Sequence, residues 1–146
     1  MSSRKVRYAR HAASLACAAT VGALLFSIRV ATTVFREMPE DRALAGRIAG
    51  RAFTGAYAIA TAAAVLAVIV VLAARSTRGR IDEWLAGGLL VAALLELFWI
   101  APAILHRGAG WPGSFASLHA AGGGLHVVLA AIALVLAWRL LDGADR

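Results

Sequence analysis

Among the polar side chains inside the apolar stretches of this 146-residue chain, five could do chemistry together: Arg29, Tyr57, Glu96, His119 and His126. A carboxylate, two imidazoles, a phenol and a guanidinium can exchange protons, hold a cation, or hydrogen-bond to one another. Glu96 is the most informative of the five. A charge at the centre of a bilayer costs about 2.5–3.5 kcal/mol on insertion scales, so it turns to the interior of a bundle and takes a partner. Glu96 lies 15 residues before Trp111 and His126 lies 15 after it. In an antiparallel hairpin centred on Trp111, the two therefore sit at the same depth. His119 and His126 are seven residues apart, about 700° around a helix, and share a face. Arg29 belongs to the same half of its helix, and its long side chain can reach further by snorkelling. One intramembrane cluster of these five groups is expected. It reads either as an interhelical pin, fixing which helix meets which, or as a site for a proton, an ion or a small solute.

Other chemistries find less support. A metal held by Glu96, His119, His126 or His106 suits a borderline ion, but no ligand spacing selects it. His119 and His126 stand about 10.5 Å apart along one helix, so they cannot both ligate one haem iron; His106 could pair with His119. The one Cys excludes a disulfide framework, a Cys-based zinc site and dithiol redox chemistry. No Ser/His/acid constellation stands at a loop. Gly122-Gly123-Gly124 lies within an apolar helix, without the strand, loop and Lys of a phosphate-binding loop, and reads as a packing or kinking feature. The expectation is a protein that is not an enzyme and has no cofactor, with a metal- or haem-binding membrane protein as one alternative.

The elements that must position these groups are membrane helices. The chain is 61% hydrophobic and 16% charged, with a formal charge of +7 and a mean hydropathy of +0.76. Average globular composition is about 45–50% apolar and 25% charged, and disorder needs low hydrophobicity. No Lys/Arg tract is interleaved with exposed aromatics, which argues against nucleic acid as a partner. Four apolar runs, at about 11–35, 53–74, 84–105 and 115–141, are each long enough to cross a hydrocarbon layer about 30 Å thick as helix. They occupy nearly the whole chain. The fold class is all-α: an integral membrane four-helix bundle of antiparallel up-down topology, one transmembrane domain over residues 1–146. The first run is too long for the apolar core of a signal peptide and is expected to stay as a helix.

Lys and Arg place the ends. The N-terminal arm, the second loop and the C-terminal end hold nine between them, against five in the first and last loops. This predicts both termini on the cytoplasmic side of an inner membrane. Pro39, Glu40 and Asp41 suit a helix start, so the second helix is expected to carry an extension from about residue 39. Trp84, Trp111 and Trp138 fall at span ends as interfacial anchors. The charge excess then reads as a topology signal with attraction to lipid headgroups.

Small residues mark the expected helix contacts, since in lipid a purely apolar face needs no partner. These are Gly22 with Ala18 and Thr32/Thr33 on the first helix, and Gly46, Gly50, Thr54, Tyr57 and Thr61 on the second. Ala92, Glu96, Trp99 and Ala103 form the stripe on the third helix, and His119, Gly122, Gly123, His126, Ala130 and Ala133 that on the fourth.

Met38-Pro39 and the run from Arg42 to Phe53 (RALAGRIAGRAF), after a first span with Gly22 and Phe26, resemble the bacterial transmembrane-protein-205-like proteins. Phe115, Leu118 and His119 are similar to that family's aromatic-x-x-Leu-His opening. Gly122 fills its small-residue place three positions after the His, and His126 replaces the usual amide seven after it. The resemblance implies a small four-helix inner-membrane protein and no settled activity. The function expected is that of a membrane accessory or transport-related protein whose interior cluster handles a proton, ion or small solute. The first alternative is a structural interaction module, docking through residues 39–51. Four spans rarely enclose a pathway alone, so the lipid bilayer, self-association or a larger membrane partner is expected.

Overall fold

The computed structural model describes residues 3–74, 80–105 and 114–142, and these are almost entirely helical. Helix α1 covers Ser3–Glu37, α2 Arg42–Ala73, α3 Arg80–Leu95, α4 Ala101–Leu105 and α5 Phe115–Asp142. A single π-helical turn, Glu96–Ile100, joins α3 to α4, so the two form one interrupted third membrane helix. Four helical segments are long and apolar enough to cross a membrane. His106, Arg107, Trp111 and the basic residues of 75–79 lie outside the described residues.

Each long helix packs on its neighbours in the chain, and α5 closes the ring against α1. The result is an up-down four-helix bundle. Its interior is rich in alanine, with Ala56, Ala60, Ala64 and Ala67 of α2, Ala86 and Ala93 of α3, and Ala133 of α5 all buried beside Leu24, Leu89, Leu129 and Leu136. Large aromatic groups point the other way, with Phe26, Trp84, Phe98 and Trp138 exposed. Soluble bundles reverse this arrangement. In lipid the helices gain nothing by hiding leucine, and small side chains let backbones approach closely. Trp84 and Trp138, at the start of α3 and the end of α5, present their rings at one end of the bundle, as interfacial anchors do.

The helical extension expected before the second span is present, its start three residues later than about 39. Helix begins at Arg42, because the Asp41 carboxylate accepts the Leu44 N–H at 2.9 Å and caps the first turn. Pro39 precedes the cap and lies outside the helix. The first helix is longer than its apolar core, adding the Ser3–Arg10 segment with its four basic residues. At that end of the bundle Arg139 of α5 donates to the Asp82 carboxylate of α3, which is buried. Ser14 of α1 donates to the Ala137 carbonyl of α5 at 2.7 Å. These contacts tie three helices together where the apolar core ends.

The glycines divide. A Cβ at Gly122 would stand 2.9 Å from Ile100 Cγ2 and 3.9 Å from a Glu96 oxygen, so only glycine lets α5 lie this close to the π turn. A Cβ at Gly50 would meet the flexible end of the Leu105 side chain. Gly22, Gly46 and Gly123 have no neighbour within 4 Å of such an atom. These three do not serve contacts within the bundle, contrary to the packing role expected of them.

A buried polar site at the axis of the bundle

The third helix positions the central group. Pro102 has no N–H, and its ring crowds the carbonyl one turn back, so regular α-helix cannot run through the preceding turn. The chain answers with a wider turn, closed by the Ala101 N–H on the Glu96 carbonyl, a spacing of five residues instead of four. Glu96 opens this turn. The next residue buried on its side is Ala101, whereas Trp99 is half exposed. The expected inward stripe Ala92–Glu96–Trp99–Ala103 thus loses Trp99, because the inserted residue swings it outward.

Glu96 is wholly buried, and Tyr57 of α2 and His126 of α5 are each 5% exposed. The Tyr57 hydroxyl and His126 Nδ1 are hydrogen-bonded at 3.2 Å. This bond spans the bundle, since α2 and α5 are not neighbours in the ring. The Tyr57 hydroxyl is also the polar neighbour of Glu96. Among the described residues, no well-aligned hydrogen bond reaches either carboxylate oxygen of Glu96 or His126 Nε2. Phe53 closes the group from above, its ring 6.2 Å from Tyr57 and edge-to-face with His126 at 5.5 Å. From α1 the Leu24 carbonyl lies close to the imidazole and accepts the Ser27 hydroxyl at 2.7 Å. All four membrane helices therefore contribute to one buried site.

Tyr57, Glu96 and His126 come together as the sequence suggests, but Arg29 and His119 do not join them. Ser27 faces the interior, and Arg29 is two residues on, about 200° around the helix, so its side chain is exposed on the outer surface of α1. His119 shares the face of His126 but sits nearer the helix start, where it too is exposed. Thr54 and Thr61 donate to the carbonyls of Gly50 and Tyr57 in their own helix, which removes them from the site. Phe53 and the π turn were not anticipated. Pro102, six residues after Glu96, is the sequence signal for the turn.

Among the described residues, no three His, Cys, Asp or Glu side chains gather as metal ligands. Glu96 and His126 offer two such donors, with a phenol beside them. What the group can do chemically is accept, hold and pass on a proton, or bind a small cation against one carboxylate.

The fold and site define a multi-pass helical membrane protein with one buried acid–phenol–imidazole group on its axis. A protein-family model described as Domain of unknown function (DUF4149) matches residues 15–109, and the chain belongs to that family. The matched segment contains Tyr57 and Glu96 and ends before α5. No curated protein and no solved structure matches the chain. The family match carries an uncharacterised family and not the transmembrane-protein-205 name.

Proposed function

We propose that this chain is a small inner-membrane accessory or transport-related protein in which Tyr57, Glu96 and His126 handle a proton, an ion or a small solute. The observation that carries the reading is Glu96, wholly buried on the axis and without an ion-pair partner among the described residues. A carboxylate so placed is expensive by several kcal/mol unless it is neutralised or joined by a cation. A residue serving only to hold helices together would be satisfied by its neighbours. In this reading both termini are cytoplasmic, as the Lys/Arg asymmetry favours, the protein is no enzyme, and it works as a self-associated bundle or beside a larger membrane protein. The likeness to transmembrane-protein-205-like proteins at 38–53 and 115–119 belongs to the same proposal.

The test is ion flux in proteoliposomes loaded with a pH-sensitive dye, comparing wild type with Glu96→Gln at equal insertion. Wild type should raise proton or alkali-cation permeability above that of protein-free vesicles, and Glu96→Gln should abolish the increase. Equal fluxes for the two proteins would overturn the reading. A second reading, a structural module with the polar group as pin, draws on the Tyr57–His126 hydrogen bond across the bundle. It expects Glu96→Gln to change neither flux nor helix packing.

A further inference from the structure

Burial narrows what the site can pass. Glu96, Tyr57 and His126 are shielded by Phe53, Gly122, Ile100 and the alanine interior. A hydrated ion would have to part the helices to reach them. A proton needs no such room, because it moves as a change in bonding between groups already in place. Among the described residues, the buried ionisable side chains other than Cys17 and these three are Arg10 and Asp82. Those two lie near the helix ends, Asp82 held by Arg139. At the level of Glu96, α1 presents the Leu24 carbonyl and the Ser27 hydroxyl, α2 presents Tyr57, and α5 presents His126 and the bare backbone of Gly122. Among the described residues, no fixed charge faces the acid.

We infer that Tyr57 relays a proton between Glu96 and His126. The inference rests on the reading of this group as a proton- or ion-handling site, and deepens it by naming the ion and the route. The phenol is hydrogen-bonded to His126 Nδ1 and is the polar neighbour of Glu96. Its oxygen can accept from one side while its hydrogen is donated to the other. Starting from a protonated Glu96 and a neutral His126, the Glu96 O–H bond breaks as a new O–H bond forms on Tyr57. The original Tyr57 O–H bond breaks as an N–H bond forms at His126 Nδ1. Tyr57 ends neutral, and the pair ends as carboxylate and imidazolium. The reverse step returns the proton and restores the starting polarity. The first leg runs over the Tyr57–Glu96 contact, and Nε2 is the nitrogen left to pass the charge onward.

The full chain, in vesicles of phosphatidylethanolamine and phosphatidylglycerol, is followed by time-resolved infrared spectroscopy after a pH jump. The Glu96 carboxyl band is assigned by its loss in Glu96→Gln, and the His126 ring bands by their loss in His126→Gln. In wild type the two signals should change with one time constant. In Tyr57→Phe they should separate, with Glu96 lagging by about 10²-fold, the low end of what a positioned proton-transfer group contributes. A common time constant in folded Tyr57→Phe would overturn the relay. Should that variant fail to fold, His126→Gln decides: a slowed Glu96 band supports the relay, and an unchanged one overturns it. Glu96-dependent flux that survives Tyr57→Phe would sink the relay and leave the wider function standing. Coupled kinetics in a protein without Glu96-dependent flux would do the opposite.

Discussion

At the scale of single residues, the site depends on an acid that the sequence makes conspicuous and a glycine that it does not. Glu96 stands out because it is the one acidic residue within the apolar runs, and its depth follows from counting outward from Trp111. Gly122 shares its expected packing stripe with Gly123, and residue type alone does not say which of the two meets a neighbour. Only the placement of Ile100 against it distinguishes them. Gly122→Ala should cost about 1–3 kcal/mol by overpacking, since the branched Ile100 side chain must shift. Gly123→Ala should be neutral or slightly stabilising, because alanine favours helix and meets no atom there. Thermal unfolding of the two variants in the same detergent checks the pair. Equal losses would mean that α5 does not sit on the π turn as described. Arg29 shows the limit of residue-level reasoning: its depth was readable, but which side of α1 it faces depends on which side α2 and α5 occupy.

At the scale of elements, the third membrane helix matters most. Its length and apolar character are plain from sequence, but a regular helical period carried across Pro102 misplaces Trp99. The π turn changes the spacing of buried positions from three or four residues to five, and π turns recur at functional sites because they re-aim side chains. Pro102→Ala restores an N–H and should let the turn wind back into α-helix. That would rotate the segments on either side of it by about 100° relative to one another and move Glu96 off the axis. Amide hydrogen exchange over residues 97–103 should slow in this variant, as the new N–H at position 102 supplies the donor that proline denies the turn. Unchanged exchange would show that something other than Pro102 holds the turn. The cap of α2 makes a similar point on a smaller scale. Pro39, Glu40 and Asp41 all have helix-start character, and the hydrogen bond from Leu44 selects Asp41.

At the scale of the whole molecule, one end of the bundle is fastened by polar contacts that composition assigned to topology alone. Asp82 stands in the first turn of α3 and Arg139 in the last turn of α5, each at the helix end its charge favours. Folding brings them together, with the Asp82 carboxylate buried and Arg139 partly exposed. Asp82→Asn should lower stability by about 1–3 kcal/mol, less than for a fully buried pair because water reaches the guanidinium. The readout is thermal unfolding in detergent, and an unchanged midpoint would reduce the pair to a surface contact. The sequence by itself determined that this is a four-helix membrane protein, how long each span is, and which acid must turn inward. The physical reason is that the bilayer penalises charge and unsatisfied backbone so heavily that length and hydropathy leave little choice. Only the tertiary structure decided which polar groups meet. Every apolar helix face is equally content in lipid, so the rotation of each helix is set by close contacts such as Gly122 on Ile100. Those contacts depend on the wide turn before Pro102 and on the order of helices around the ring. They bring Tyr57 and His126 to the axis beside Glu96 and leave Arg29 and His119 outside.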